Sequence, residues 1–389
     1  MKVVIVGGGA IGCSAAYHLA TNPRFRGEIT VVERDPSYAR ASSMLSASGI
    51  RQQFSTPVSI RMSQYGLAFI RDAARALAVE GEAPLLAFKE HGYLFLASES
   101  GLPVLRENVA LQLAEGADIR LLDPSGLTEN FPWLSTDGLA AGAFGASGEG
   151  SFDGPAMLQA LRRKARSLGV TFVAQEATGF VRAGEAVRGV TLADGSVLDC
   201  DTAVVTAGAW SGRVASWLGL TMPIVPRKRM VYVISCREPL ARCPLVIDPT
   251  GNWWRPEGQF FLCGRSPDAG EPDPDEPPLV VTEDMFFDYV WPALAARVPA
   301  FEAVKIVSSW AGYYELNLFD HNGIVGRHPA VPNVVFAAGF SGHGMQHSPA
   351  TGRGVSELVA EGGFTTLDLS PLGWARLIEN RPMWERNVV

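Results

Sequence analysis

The chain has 389 residues, 47% apolar and 19% charged, with a formal net charge of −7 at neutral pH. That length accommodates two domains with a sizeable buried core. The acidic balance and the lack of a long basic run argue against nucleic-acid binding through phosphate neutralisation. No stretch has the length and apolar purity of a transmembrane helix. Cys13, Cys200, Cys236, Cys243 and Cys263 form no CxxC pair and read as reduced thiols of a cytoplasmic protein. The six histidines show no metal-ligand spacing, so no metal is expected.

In chain order, KVVIV is a short β-branched run, a buried strand. AIGCSAAYHLAT follows as a helix and EITVVERD as a second strand. The opening resembles a signal peptide in its single Lys and apolar run, but its glycine pattern and the strand beyond make it folded core. This strand–helix–strand order favours a parallel sheet. Residues 58–81 carry helical periodicity, 90–98 read as a strand and 102–116 as a helix. DGPAMLQALRRKARSLG, from 153, has Asp, Gly and Pro at a helix start and Gly at its stop. Strands follow to about 205, separated by AGE and ADG turns, and 222–318 is strand-rich. The acidic, Pro-rich stretch 266–278 reads as a solvated loop. NVVFAAGF is a last buried strand, and the helix after it reads as starting at Ser348 and Pro349, cap and first position. The tail from 371 to 389, with two Trp, is expected to pack on the body or on a partner subunit.

The loop after the first strand reads GGGAIG. Gly7 suits a tight turn, Gly9 lets a pyrophosphate approach the backbone, and Gly12 lets the helix pack on the strand. Ala10 and Ile11 open that helix, whose free N–H groups favour a phosphate. The string alone is weak; its strand–helix context makes it a dinucleotide site. Glu33, followed by Arg34, ends the second strand where an acid accepts hydrogen bonds from a ribose, which argues against NADP. Beyond it come Ser42, Ser43, Met44, Ser46, Ser48 and Gly49, small-sided enough for close passage along a second phosphate and under a flat ring, and then Arg51. Thr206, Ala207 and Gly208, with Trp210, follow another strand, and Ala177 lies between the earlier strands VTFVAQ and GFVRAG. GFSGHGMQ, from Gly339 through Gly342, His343, Gly344 and Met345 to Gln346, follows the last. Loops of small residues after parallel strands meet at one sheet edge, where ligands of such folds bind.

The ordered set VVIVGGGAIG, SFDGP, TAGAW, WAGYYELNLFDHNGIVG and GFSGHGMQHSPATG resembles the FAD-dependent amine oxidoreductases related to D-amino-acid oxidase, glycine oxidase and sarcosine oxidase. ERDPSYARASSMLSASGIRQQFS is similar to a branch holding iminodiacetate-type oxidases and a respiratory complex I assembly factor. The resemblance implies an α/β fold of two discontinuous domains. A Rossmann-like FAD-binding domain takes 1–83, 150–222 and 320–370, and an antiparallel-sheet substrate domain takes 84–149 and 223–319. It implies oxidation of a C–N bond in a small secondary or N-substituted amino acid, with O2 or an electron carrier as acceptor. A carboxylate substrate needs a fixed cation. Arg51 matches the family's arginine near the flavin, and Arg255, in an apparent loop, is a second candidate. Tyr313 and Tyr314 offer hydroxyls, of which strand alternation brings at most one to the site. His343 fits beside flavin or substrate. Each also has an ordinary use: Arg51 on a phosphate or an acid, Arg255 as a surface charge, His343 as a loop cap. Covalent relatives use a Cys near WAGYYEL or an early His, neither present here, so non-covalent FAD is expected. Sarcosine oxidases also carry an oxygen-activating Lys absent from NWWRPEGQFFLCGR, and another Lys where this chain has Gln346. The competing readings are an assembly factor holding structural FAD and a flavoenzyme of a hydroxy acid or polyol phosphate. A second basic cluster would favour the latter, and only PRKR at 226–229 qualifies. Oligomeric state stays open.

Overall fold

A computed structural model describes residues 1–267 and 271–387. Its centre is a six-stranded sheet in the order Ile324–His328, Val331–Ala338, Thr202–Val205, Lys2–Val6, Glu28–Glu33, Thr171–Ala174. Five of these strands run parallel, and Ile324–His328 pairs antiparallel at one edge. The first strand occupies a central place because Val3 to Val6 are buried on both faces, the mark of a parallel strand covered on each side. Chain segments far apart in sequence thus converge on one sheet edge.

Helices Ala10–Thr21 and Gly344–Ala360 lie against each other over that sheet. Gly352 makes the approach possible: a Cβ there would lie 2.2 Å from Ser14 Oγ. The helix Gly154–Ser167 starts as its sequence requires, with the Asp153 carboxylate accepting the Ala156 N–H at 2.8 Å. The helix expected at 58–81 spans Pro57–Ala76. The strands Ala177–Ala183, Ala186–Leu192 and Val197–Asp199 form a small antiparallel sheet.

The second large sheet has eight strands in the order Lys305–Asn317, Ile224–Ser235, Phe260–Arg265, Asn252–Glu257, Leu245–Ile247, Tyr93–Ala97, Ala141–Gly145, Ile119–Leu122. It is antiparallel except where Leu245–Ile247 meets Tyr93–Ala97. Its own core holds Trp254, Tyr232, Phe261, Phe286 and Phe301, all buried.

Two local expectations need correction. The closing helix begins at Gly344, capped by His343, so Pro349 lies inside it. Gly342, at φ +87°, makes the turn one residue before that cap, and helical backbone is already established when Ser348 is reached. Arg255 belongs to the strand Asn252–Glu257 and is buried. The described part of the acidic loop is largely exposed, in line with its sequence, and also ties itself to the body: Asp273 pairs with Arg229, Asp275 with Arg227 and Glu276 with Arg213. Residues 268–270 of that loop lie outside the described part. The five cysteines are free thiols, four of them buried. No described helix is long and apolar enough to cross a membrane, and no described cluster could hold a metal.

Candidate functional site

The glycine turn after the first strand is dictated by close packing. A Cβ at Gly12 would stand 1.9 Å from the Gly7 carbonyl oxygen, and one at Gly7, where φ is +101°, would stand 2.4 Å from the Thr206 carbonyl oxygen. Thr206 Oγ1 donates to the Gly7 carbonyl at 2.8 Å and so ties the two turns together. Glu33 is held at the end of its strand, accepting the Gly8 N–H at 2.8 Å and the Asp35 N–H at 3.0 Å. Ser43 Oγ accepts the Ala10 N–H at 3.0 Å, which brings the Ser-rich segment across the helix start. Arg34 stacks on Trp210, its guanidinium carbon 3.9 Å from the ring centroid.

One cavity joins these pieces. It is bordered by Gly7, Gly9, Ala10, Ile11, Glu33 and Arg34, then by Ser42, Ser43, Ser46, Ser48, Gly49 and Arg51. Ala177, Thr206, Ala207, Gly208 and Trp210 close one side, and Gly342, His343, Gly344, Met345 and Gln346 another. The structure therefore assembles most of the residues singled out from sequence. Four stand behind the wall. Gly12 packs helix on strand; Met44 packs against the apolar core; Gly339 turns at φ +81° against Ile224. Arg255 donates to the Ala47 carbonyl at 2.8 and 3.1 Å and pairs with Glu257, so it braces the Ser-rich segment instead of meeting a ligand.

Tyr313 and Tyr314 both border the cavity, against the expectation of one. Gly312 to Glu315 all border it, so neighbours from both faces of this strand do. Tyr313 packs edge-on to Trp210 and donates to the Pro277 carbonyl at 3.0 Å. Tyr314 donates to the Ser341 carbonyl and so holds the turn before His343. Burial pushes its phenol pKa up, which keeps it a neutral donor.

Arg51 is 4% exposed, with its guanidinium carbon 4.3 Å from the Phe54 ring centroid. Nη1 donates to the Gln53 carbonyl at 2.7 Å and Nη2 to the Asn387 carbonyl. No carboxylate pairs with it among the described residues. Gln346 Oε1 accepts the Arg51 N–H at 2.9 Å and the Ser63 hydroxyl at 2.9 Å, fixing the main chain at this point. His343 is buried, and burial, with Arg51 and His347 nearby, pushes its pKa well below 6.5, so it is neutral. Its Nε2 has no hydrogen-bond partner in the described structure.

Several bordering residues escaped the sequence reading. Glu315 accepts the Gly339 and Phe340 N–H groups at 3.2 and 3.3 Å, and burial pushes its pKa up to about 7. Its signal was an acid on the buried face of an alternating strand, beside Tyr313 and Asn317. Arg229 lies 5.0 Å from the Tyr314 ring centroid, bound to Asp273. Tyr93, Met230, Val231, Leu245, Ile247 and Trp253 give the opposite wall its apolar character. The tail packs on the body: Arg376 pairs with Asp320 at 2.7 Å, and Glu385 and Asn387 reach the segment around Arg51.

The donor set fits FAD. A turn without side chains, an acid at ribose distance along the chain, and the first turns of the helices Ala10–Thr21 and Gly344–Ala360 suit its phosphates and polar ring edge. A family model described as FAD dependent oxidoreductase matches residues 2–358. The chain is 44% identical to "FAD-dependent oxidoreductase domain-containing protein 1" of Xenopus laevis, over 100% of this chain and 84% of that one. It is 26% identical to glycine oxidase of Geobacillus kaustophilus, over 97% of each. In fold it is similar to L-proline dehydrogenase from P. horikoshii, with a TM-score of 0.86, 24% identity, and 98% and 99% of the two chains covered. The cavity and these likenesses agree, and the chain belongs to the FAD-dependent oxidoreductase family.

Proposed function

We propose that this flavoprotein oxidises the C–N bond of a small secondary or N-substituted amino acid. The observation that carries the reading is Arg51: a buried guanidinium in the cavity wall, beside His343 and Gln346, with no acid paired to it among the described residues. A buried cation of this kind is costly unless an anion completes it, and a carboxylate matches its planar fork. Glycine oxidase and L-proline dehydrogenase, named for amino-acid substrates, lend support. Bound FAD would supply the hydride acceptor for the substrate carbon beside nitrogen, and the imine product would hydrolyse.

The protein's own part is orientation and exclusion of water. Arg51 grips the carboxylate. Neutral His343 neither repels a cationic amine nor supplies a proton at neutral pH. Tyr314 holds the Ser341–Gly342 turn in place. Met230, Val231, Leu245, Ile247 and Trp253 offer an apolar face to the rest of the substrate. The residues Gly7, Gly9, Ala10, Glu33 and Ser43 would hold the nucleotide half, and Gly342 to Gln346 the ring. Dividing the chain into an FAD-binding part (1–83, 150–222, 320–370), a substrate part (84–149, 223–319) and a tail (371–389) belongs to the same proposal. The polyol-phosphate reading loses its support, because Arg227 and Arg229 of the basic cluster are paired with Asp275 and Asp273. No lysine borders the cavity among the described residues, so an electron carrier suits the reoxidation step better than O2.

The test is turnover of sarcosine, iminodiacetate, proline, D-amino acids and glycerol 3-phosphate with a dye acceptor. Turnover of an amine and none of the phosphate is expected, with dye reduction faster than oxygen consumption. The reverse substrate order would overturn the proposal.

A further inference from the structure

The guanidinium of Arg51 is fixed by two carbonyls that lie 334 residues apart in sequence, those of Gln53 and Asn387. The second belongs to the C-terminal segment 383–387, which laces itself onto the loop that carries Arg51. Asn387 Nδ2 donates to the same Gln53 carbonyl at 3.1 Å, and Asn387 Oδ1 accepts from Asn108 at 3.0 Å. Glu385, 1% exposed, accepts the Ser55 N–H at 2.8 Å, the Ser55 hydroxyl at 2.8 Å and the Asn387 N–H at 3.1 Å. Arg386 N–H donates to Ser55 Oγ at 2.8 Å. The segment is anchored upstream by Asp320, which accepts the Met383 N–H at 3.1 Å and, through its carbonyl, the Glu385 N–H at 3.0 Å.

Two features set this apart from ordinary packing. Glu385 is a buried carboxylate with no cationic partner among the described residues, satisfied by hydrogen-bond donors alone. Such a group is expensive to keep. Its donors are Ser55, two residues beyond Gln53, and Asn387, and the carbonyls of Gln53 and Asn387 are the ones that hold the Arg51 guanidinium. A bidentate grip on a carboxylate depends on the fork being held in one orientation, so a loosened fork weakens binding of the carboxylate.

We infer that segment 383–387 is a positioning strap: Glu385 and Asn387 set the Arg51 guanidinium in the orientation that receives the substrate carboxylate. The inference rests on the proposed role of Arg51. Arg51 is the binding residue; Glu385 and Asn387 act through it.

The experiment uses the FAD-loaded full chain, with benzoate as a non-oxidisable carboxylate followed by the change in flavin absorption, and steady-state kinetics with the best amine. Glu385→Ala is expected to raise the benzoate Kd and the amine KM by about tenfold, leaving flavin content unchanged and kcat within about threefold. Glu385→Gln retains an acceptor for Ser55 and Asn387 and can donate to Thr56 Oγ1, so it is expected to restore both values to within about threefold. Asn387→Gly keeps the carbonyl but loses both side-chain ties, and serves if Glu385→Ala does not fold. In an Arg51→Ala background, Glu385→Ala should add nothing. If Arg51→Ala alone leaves both Kd and KM unchanged, the carboxylate role of Arg51 fails. If Arg51→Ala weakens binding while Glu385→Ala and Asn387→Gly do not, or if their effects persist without Arg51, the strap is overturned and the role of Arg51 stands.

Discussion

Glu315 titrates in the folded protein where a free carboxyl does not, and replacing it by Gln isolates the effect. Burial raises its pKa from 4.5 to about 7, against the opposing pull of the Gly339 and Phe340 N–H groups. The folded state therefore holds a proton that the unfolded state releases between pH 4.5 and 7. Stability supplied by that proton is fully present below 4.5, falls as pH rises through this window, and is gone above about 7. At about 1.4 kcal/mol for each pH unit, the loss between pH 5 and pH 8 is about 2 to 3 kcal/mol. In Glu315→Gln this pH-dependent part vanishes, while one backbone N–H faces an amide nitrogen, a pH-independent cost of about 1 to 3 kcal/mol. The variant should thus be the less stable protein at pH 5 and regain about 2 to 3 kcal/mol relative to the natural chain by pH 8. Glu149, also raised to about 7 by burial, titrates in both proteins and cancels in the difference. The assay is urea unfolding of both proteins at pH 5, 6.5 and 8 with FAD in fixed excess. Parallel pH profiles would refute the reasoning, because they would mean that Glu315 is ionised in the folded state throughout.

Other perturbations probe separate parts of the account. Gly12→Ala puts a Cβ 1.9 Å from the Gly7 carbonyl oxygen and should leave less than about a tenth of the natural flavin content, whereas Gly179→Ala, with open space at its Cβ, should change stability by less than about 0.5 kcal/mol. Arg376→Met strands the buried Asp320 and should cost about 3 to 5 kcal/mol in unfolding free energy; a loss below about 1 kcal/mol would show that Asp320 is protonated or hydrated. Acid precipitation should leave a colourless pellet and yellow supernatant, since no cysteine or histidine occupies the attachment positions of covalent relatives; a yellow pellet would contradict non-covalent FAD.

The sequence exposed the nucleotide half of the site well because steric rules act locally there. Gly12 is demanded by the Gly7 carbonyl within the same turn, Gly7 takes a positive φ, and Glu33 ends a short, mostly buried β-branched strand. The start of the closing helix was misplaced by several residues because Ser348–Pro349 imitates a helix start, and the turn at Gly342 that ends the loop is set by Tyr314 and Ser341. Arg255 looked like a ligand-binding cation only while its strand and its bond to Ala47 were unseen. Both tyrosines border the cavity because consecutive residues from Gly312 to Glu315 do, which alternation alone does not reveal. Glu315 was readable in principle, as an acid on a buried face. The tie between Asn387 and Arg51 was not, since nothing local in either segment names a partner 336 residues away.

The most direct test of amine oxidation is the visible spectrum of the FAD-loaded protein, titrated anaerobically with sarcosine, iminodiacetate, proline and D-amino acids. The account predicts that one of these secondary or N-substituted amines bleaches the flavin band stoichiometrically, and that Arg51→Ala needs far more of it. A bound flavin that none of these amines bleaches, or that glycerol 3-phosphate bleaches instead, would contradict it.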